Sequence, residues 1–249
     1  MKTGLTSVTF RNLSADEIIA LAREGGLDGI EWGSDVHVPE GNVALAKEVA
    51  GKTRAAGLEV LSYGSYFYLG AGADFKPFLD SSVALGASII RVWGGKKERG
   101  DMTDGEYSEL VLETKKIGKM AAEYGVTVGF EFHGHSITAT ASDAVKLIED
   151  VGLSSVRLYW QTVLGATREE NLENLRLVSP YLVNAHAFHY TGNRQELLCD
   201  AGGRENWSDY VSALSDCGFS GSVIIEFTKG GLRESFLSDA ATLRELIKR

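Results

Sequence analysis

Residues 126–135 read VTVGFEFHGH, from Val126 to His135. The first half alternates as a buried strand does, and the run ends in Glu131, His133 and His135, three groups able to move protons or hold a metal within five residues. A strand that becomes chemically rich only at its C-terminal end is one unit of a pattern that extends in both directions along the chain.

Upstream, residues 5–10 form a β-branched and apolar run, read as the first strand. Ser14 and Glu17 then form a capping box with Leu13 and Ile18 as its staple, opening a helix that stops at Gly25 and Gly26. Residues 29–32 read as the second strand and 43–56 as a helix with Leu45, Val49 and Ala50 inward, stopped by Gly57. Residues 58–63 and 88–93 are the third and fourth strands, joined by a more weakly patterned helix over 75–85. A second capping box, Thr103 with Glu106, precedes Leu110, Val111, Thr114, Ile117, Ala121 and Tyr124 at helical spacing, up to Gly125.

Downstream of residues 126–135, the fifth strand, the spacing predicts a helix over 142–151 and a strand over 156–160. Thr167 and Glu170 cap a helix through Leu172 and Leu175 that ends before Pro180, and residues 181–188 form the seventh strand. A helix over 206–217, a strand over 222–227 and a helix over 236–247 complete the chain. Strand and helix alternate eight times at intervals of about 25 to 40 residues, which predicts a (β/α)8 TIM barrel, one domain over residues 1–249. A doubly wound open sheet would carry a glycine-rich phosphate loop after its first strand, where this chain has Thr9, Phe10, Arg11 and Asn12.

Composition narrows the partners. A net charge of -9 argues against nucleic acid and anionic membranes, which call for a basic face. Two cysteines, Cys199 and Cys217, suit neither a zinc knuckle nor a disulfide framework, so a cytoplasmic protein with reduced thiols is expected, and no signal peptide or membrane span is read. The substrate class left open is a small molecule. Association with further copies of the chain is compatible with the sequence but has no signature in it.

In a TIM barrel the reactive groups project from the C-terminal strand ends. Here those ends carry Glu31 and His37, Arg91 and Trp93, Glu131 and His133, Gln161, His186 and His189, and Glu226, while the first and third strands offer Arg11, Tyr63 and Tyr66. Glu131, Gln161, His186 and Glu226 come from four consecutive strands and would face one another across the mouth. Their oxygen and nitrogen donors suit a divalent cation with open positions for substrate oxygens. The competing reading is that the carboxylates pair with Arg91 or Arg157.

Glu131 in GFEFHG, a polar ligand after the sixth strand, His186 in VNAHAFHY and Glu226 in IIEF resemble the xylose isomerase-like TIM barrels of the sugar phosphate isomerase/epimerase group, as do DGIEWGSDVHVP and IIRVWGG. The resemblance covers nearly the whole chain. It implies metal ligation by Glu131, His186 and Glu226, with Mn, Mg, Co or Zn as the ion, and a sugar or sugar phosphate as substrate. Gln161 departs from the aspartate usual at its position, and an uncharged amide oxygen there weakens the site's hold on a cation. The implied chemistry is isomerisation or epimerisation through an enediolate, with Glu131 and Glu226 as acid and base. A dehydratase of an inositol-like ketone, or a sugar-binding barrel without catalysis, are the alternatives; the second rests on Gln161. His133, Arg91, His189, His37, Trp93 and Arg194 are the candidate substrate contacts, and the long connection over residues 190–205 is a candidate lid.

Overall fold

The computed structural model describes residues 1–200 and 202–248. Eight parallel strands close into a barrel: β1 (Lys2–Thr6), β2 (Gly29–Gly33), β3 (Glu59–Tyr68), β4 (Ile89–Trp93), β5 (Thr127–Phe130), β6 (Val156–Trp160), β7 (Leu182–Ala187) and β10 (Ser222–Ile225). Strand β10 pairs with both β7 and β1 and so completes the ring. Strands β8 (His189–Thr191) and β9 (Arg194–Glu196) form a separate antiparallel hairpin. The helices are α1 (Ala15–Glu24), α2 (Val43–Ala55), α3 (Lys76–Leu85), α4 (Asp104–Ala122), α5 (Ala141–Val151), α6 (Arg168–Val178), α7 (Gly203–Asp216) and α8 (Arg233–Ile247). The expected (β/α)8 TIM barrel is the fold. Among the described residues no helix is long and apolar enough to cross a membrane.

The helix starts follow from local chemistry. Ser14, Thr103 and Thr167 each accept the N–H three residues on, and Glu17, Glu106 and Glu170 reach back to the cap, forming capping boxes on α1, α4 and α6. The main core lies between the strands' outer faces and the helices. Trp32 donates to Thr53 in that layer, and Trp160 packs edge-on against Trp207 and Tyr210. Trp32 and Trp160 therefore belong to the core, while Trp93 turns to the mouth.

Several boundaries differ from expectation for identifiable reasons. The first strand ends at Thr6, because Ser7 Oγ accepts the Gly33 N–H at 2.9 Å and residues Ser7–Phe10 coil into a 3-10 turn across the barrel end. Strand β5 stops at Phe130, so Glu131, His133 and His135 stand on the loop beyond it. Tyr124 lies past the end of α4 and is 48 % exposed. The connection expected as an open loop over 190–205 carries most of the β8–β9 hairpin and the first turn of α7, apart from Ala201, which lies outside the described residues.

The barrel interior is polar at its centre. Side chains that would otherwise clash there are accommodated by missing neighbours: a Cβ on Gly129 would lie 2.6 Å from the Tyr159 ring, and one on Gly64 would lie 2.9 Å from Arg91 Nη2 and 3.3 Å from Glu31 Oε1. Two strands thus forgo side chains so that Tyr159 and Arg91 can reach across the barrel.

Candidate functional site

A cavity of about 570 Å³ opens at the C-terminal ends of the strands. Arg91, Glu131, Gln161 and Glu226 line its buried end, and Tyr66, Tyr68, Trp93, Phe188 and Phe227 line its walls. Trp93 stacks on Tyr68 with centroids 5.2 Å apart and meets the His133 ring at 4.4 Å, giving one wall a continuous aromatic face. Phe227 enters the cavity from a left-handed backbone, φ 61°, held by its N–H donating to Thr9 Oγ1 at 3.0 Å. This turn follows Glu226 at once and brings that carboxylate and the phenyl ring to the same space.

Beneath the cavity runs a buried polar network. His186 sits at its centre: Nε2 is 3.1 Å from Glu31 Oε1, and Nδ1 is 3.1 Å from Gln161 Oε1 and 3.2 Å from Glu226 Oε2. Arg91 donates to Glu131, and its Nε lies 3.3 Å from Glu31. Glu31 also accepts from Ser62 and Tyr159, and Tyr159 in turn accepts from Asn184. The backbone carbonyl of Glu131 is fixed by Thr138 Oγ1.

This packing moves the proton affinities. Burial alone would lower His186, but the Glu226 and Glu31 carboxylates push it up to about 10. Burial would raise Glu31, yet Arg91 and His186 hold it well below the usual carboxylate range. Glu226 likewise stays below its ordinary value because His186 outweighs the cost of burial. Glu131 goes the other way: burial raises it, Glu226 adds repulsion, and Arg91 offsets them only in part. The two carboxylates singled out in the sequence are thereby pushed in opposite directions.

The donor chemistry fits a cation. Glu131, His186 and Glu226 offer ligand atoms that all lie within 4.8 Å of one another. Nδ1 of His186 faces two oxygens that carry lone pairs, so either a proton on Nδ1 or a cation must lie between them. The spacings of 3.1 and 3.2 Å match the edge between adjacent ligands about 2.1 Å from a common metal.

The family description for xylose isomerase-like TIM barrels matches residues 19–248. The chain belongs to that family. None of the curated proteins matches it in sequence. Solved structures with the same fold include the probable 3-DHS dehydratase AsbF of Bacillus anthracis, at TM-score 0.82 and 18 % identity, covering 98 % of this chain and 99 % of that one. The IolI protein with a bound zinc atom has TM-score 0.79 and 16 % identity, covering 100 % and 98 %. D-psicose 3-epimerase of Clostridium cellulolyticum H10, with D-tagatose, has TM-score 0.75 and 16 % identity, covering 99 % of each chain.

In this xylose isomerase-like barrel the residues predicted from sequence separate into two groups. Glu131, Gln161, His186 and Glu226 converge, and Arg91, Trp93 and His133 border the same cavity. His37, His189 and Arg194 do not. His37 lies in the turn that follows β2 and is buried away from the cavity, bonding the Leu13 carbonyl at 2.9 Å and packing on Trp32. His189 begins the hairpin and lies against Gly203 in a neighbouring crevice. Arg194 is 82 % exposed and pairs with Glu196 on its own strand, β9. The loop cations Lys97 and Arg99 pair with Glu106 and Asp104. In the sequence Glu31 stands out only as a carboxylate of the second strand with no role attached, and Ser62, Tyr159 and Asn184 do not stand out at all. The signal for Glu31 was its position in GIEWG; nothing local marked the other three.

Proposed function

We propose that the protein is a divalent-metal-dependent isomerase or epimerase of a sugar or another small hydroxy-carbonyl compound, with Glu131 and Glu226 as its acid/base pair. The observation that carries this reading is the convergence of Glu226 Oε2 and Gln161 Oε1 on His186 Nδ1 at the closed end of an aromatic-walled cavity. Glu131, Gln161, His186 and Glu226 would hold the ion. When bound, a divalent cation supplies electrostatic stabilisation for a carbonyl oxygen whose neighbouring carbon is losing its proton.

The chain's own groups then have distinct tasks. Glu226, held ionised beside His186, accepts the proton from carbon. Glu131 stands three strands further round the barrel and retains a proton more readily, so it can return one from another side. Removal on one face and return on the other inverts the centre; return to the adjacent carbon interconverts aldose and ketose. Trp93, Tyr68 and Phe227 pack against the apolar face of a sugar ring and keep water from the reacting carbon. The fold neighbour crystallised with D-tagatose and the one holding zinc support the substrate class and the metal.

A second reading is a dehydratase working through the same enolate. Its support is Glu131, whose raised proton affinity suits delivery of a proton to a departing hydroxyl.

The test is incubation of the purified, metal-loaded protein with ketoses in D2O. Deuterium is expected to enter at the carbon next to the carbonyl, and Glu226→Gln should slow its entry by about 100-fold or more. Full exchange in that variant would remove Glu226 from the role. Loss of water to form a deoxy diketone, in place of exchange, would favour the dehydratase.

A further inference from the structure

We propose that Glu31 is a positioning residue: it holds the His186 imidazole in the orientation and tautomer that turn Nδ1 toward the ligand cluster. The inference rests on the metal-dependent reading above. Glu31 is wholly buried in the middle of β2, and both its oxygens are engaged. Oε2 accepts from Ser62 Oγ at 2.7 Å and Tyr159 OH at 2.9 Å, while Oε1 faces His186 Nε2 at 3.1 Å. An ionised carboxylate only accepts, so Nε2 must carry the proton. In a neutral imidazole the free lone pair is then on Nδ1, the nitrogen that faces Gln161 and Glu226. The opposite tautomer would set lone pair against lone pair at Glu31 and close the ligand cluster with an N–H.

The clamp is itself built in. Asn184 Nδ2 donates to Tyr159 OH at 2.9 Å, which leaves the phenol proton directed at Glu31. Gly129 leaves space for the Tyr159 ring, and Gly64 lets Arg91 lie against Glu31 to balance its charge. A buried charge with this many partners is a costly way to fill a barrel interior that apolar side chains would fill as well. Its yield is control of the one histidine at the cation site.

The experiment is Glu31→Gln, read by ring nitrogens and by metal affinity. Labelling with 15N-histidine gives five ring systems, and His186 is the one whose signals vanish in His186→Asn. In metal-free wild type the His186 Nε2–H is expected to exchange slowly with solvent and to resonate far downfield, under the influence of the carboxylate. In Glu31→Gln that proton should move upfield, and Zn2+ affinity, measured by chelator competition, should fall about 10- to 100-fold. Tyr159→Phe keeps the charge and removes one clamp; it should shift the same resonance and weaken Zn2+ in the same direction by less, and it decides the matter if Glu31→Gln does not fold. Unchanged His186 signals with Zn2+ affinity within about 2-fold of wild type in the folded variant would overturn the proposal. A wild type that binds neither Zn2+ nor Mn2+ would instead defeat the metal-dependent reading, and Glu31 would then be judged on the metal-free ring signals.

Discussion

Gln161 is the residue at which charge and geometry part company. On the proposed reading its Oε1, 3.1 Å from His186 Nδ1, would be a ligand, yet it would bring no charge to a cation otherwise met by Glu131 and Glu226. Gln161→Asp is therefore expected to tighten Mn2+ binding, on the order of 10-fold or more, since ligand charge sets affinity across decades. In chelator the same change puts another buried carboxylate beside Glu226 and should lower the thermal midpoint; with Mn2+ it should raise it. A shift of the same sign in both conditions would remove Gln161 from the ligand set. At this scale the sequence was informative where a residue's position depends on its strand end alone, as for Glu131, His186 and Glu226, which the structure brings together. It was silent where the role depends on what crosses the barrel. The register shift between Ile30 and Glu31 against β3 aims Glu31 at Ser62, and the glycines that admit Tyr159 and Arg91 lie on other strands. His37 was misplaced because spacing from a strand end does not reveal which way the chain turns next.

Elements carry their own consequences. The capping boxes were legible because each is closed within four residues, and Thr103→Ala should cost about 1 kcal/mol through the exposed start of α4, as read by urea unfolding. The attachment of the hairpin region was not legible, because it depends on a long-range contact. Asp239 of α8 accepts from the Leu198 N–H at 2.7 Å, just beyond β9, and from Thr228 Oγ1 at 2.5 Å, just beyond β10. Burial raises this carboxyl to about 6 from its ordinary 3.8, with the two hydrogen bonds and the nearby Asp200 as smaller influences. Between those values the folded chain holds a proton that the unfolded chain has released, so stability from this group falls as pH rises; the penalty is complete above about pH 6 and relieved toward pH 3.8. Asp239→Asn keeps the shape and removes the charge. Its stability relative to wild type should rise by up to ~3 kcal/mol between about pH 4 and pH 7, and a difference that stays flat across that range would refute the assignment.

At the level of the whole barrel, the ring of strands encloses three carboxylates, Glu31, Glu131 and Glu226, against Arg91 and His186, all of them buried. In the metal-free state Arg91 and a protonated His186 offset only two of these three charges, in keeping with the rise of His186 to about 10 and with the raised proton affinity of Glu131. A divalent ion among Glu131, His186 and Glu226 would replace that proton and add charge where the carboxylates repel. The cluster exists only when β5, β7 and β10 are closed into the ring, since the unfolded chain separates these ligands by 40 residues or more in sequence. On the proposed reading, cation binding would thus be linked to folding. At a free Mn2+ or Zn2+ concentration about 100 times the dissociation constant, the fold should gain ~2.7 kcal/mol. For a chain of this length that corresponds to a rise of about 5–10 °C in the unfolding midpoint. Calorimetry with and without chelator measures it, and His186→Asn, which removes the central ligand, should abolish the response. An equal midpoint in chelator and in saturating metal would mean that no ion binds the folded cluster, and the metal-dependent reading would fall.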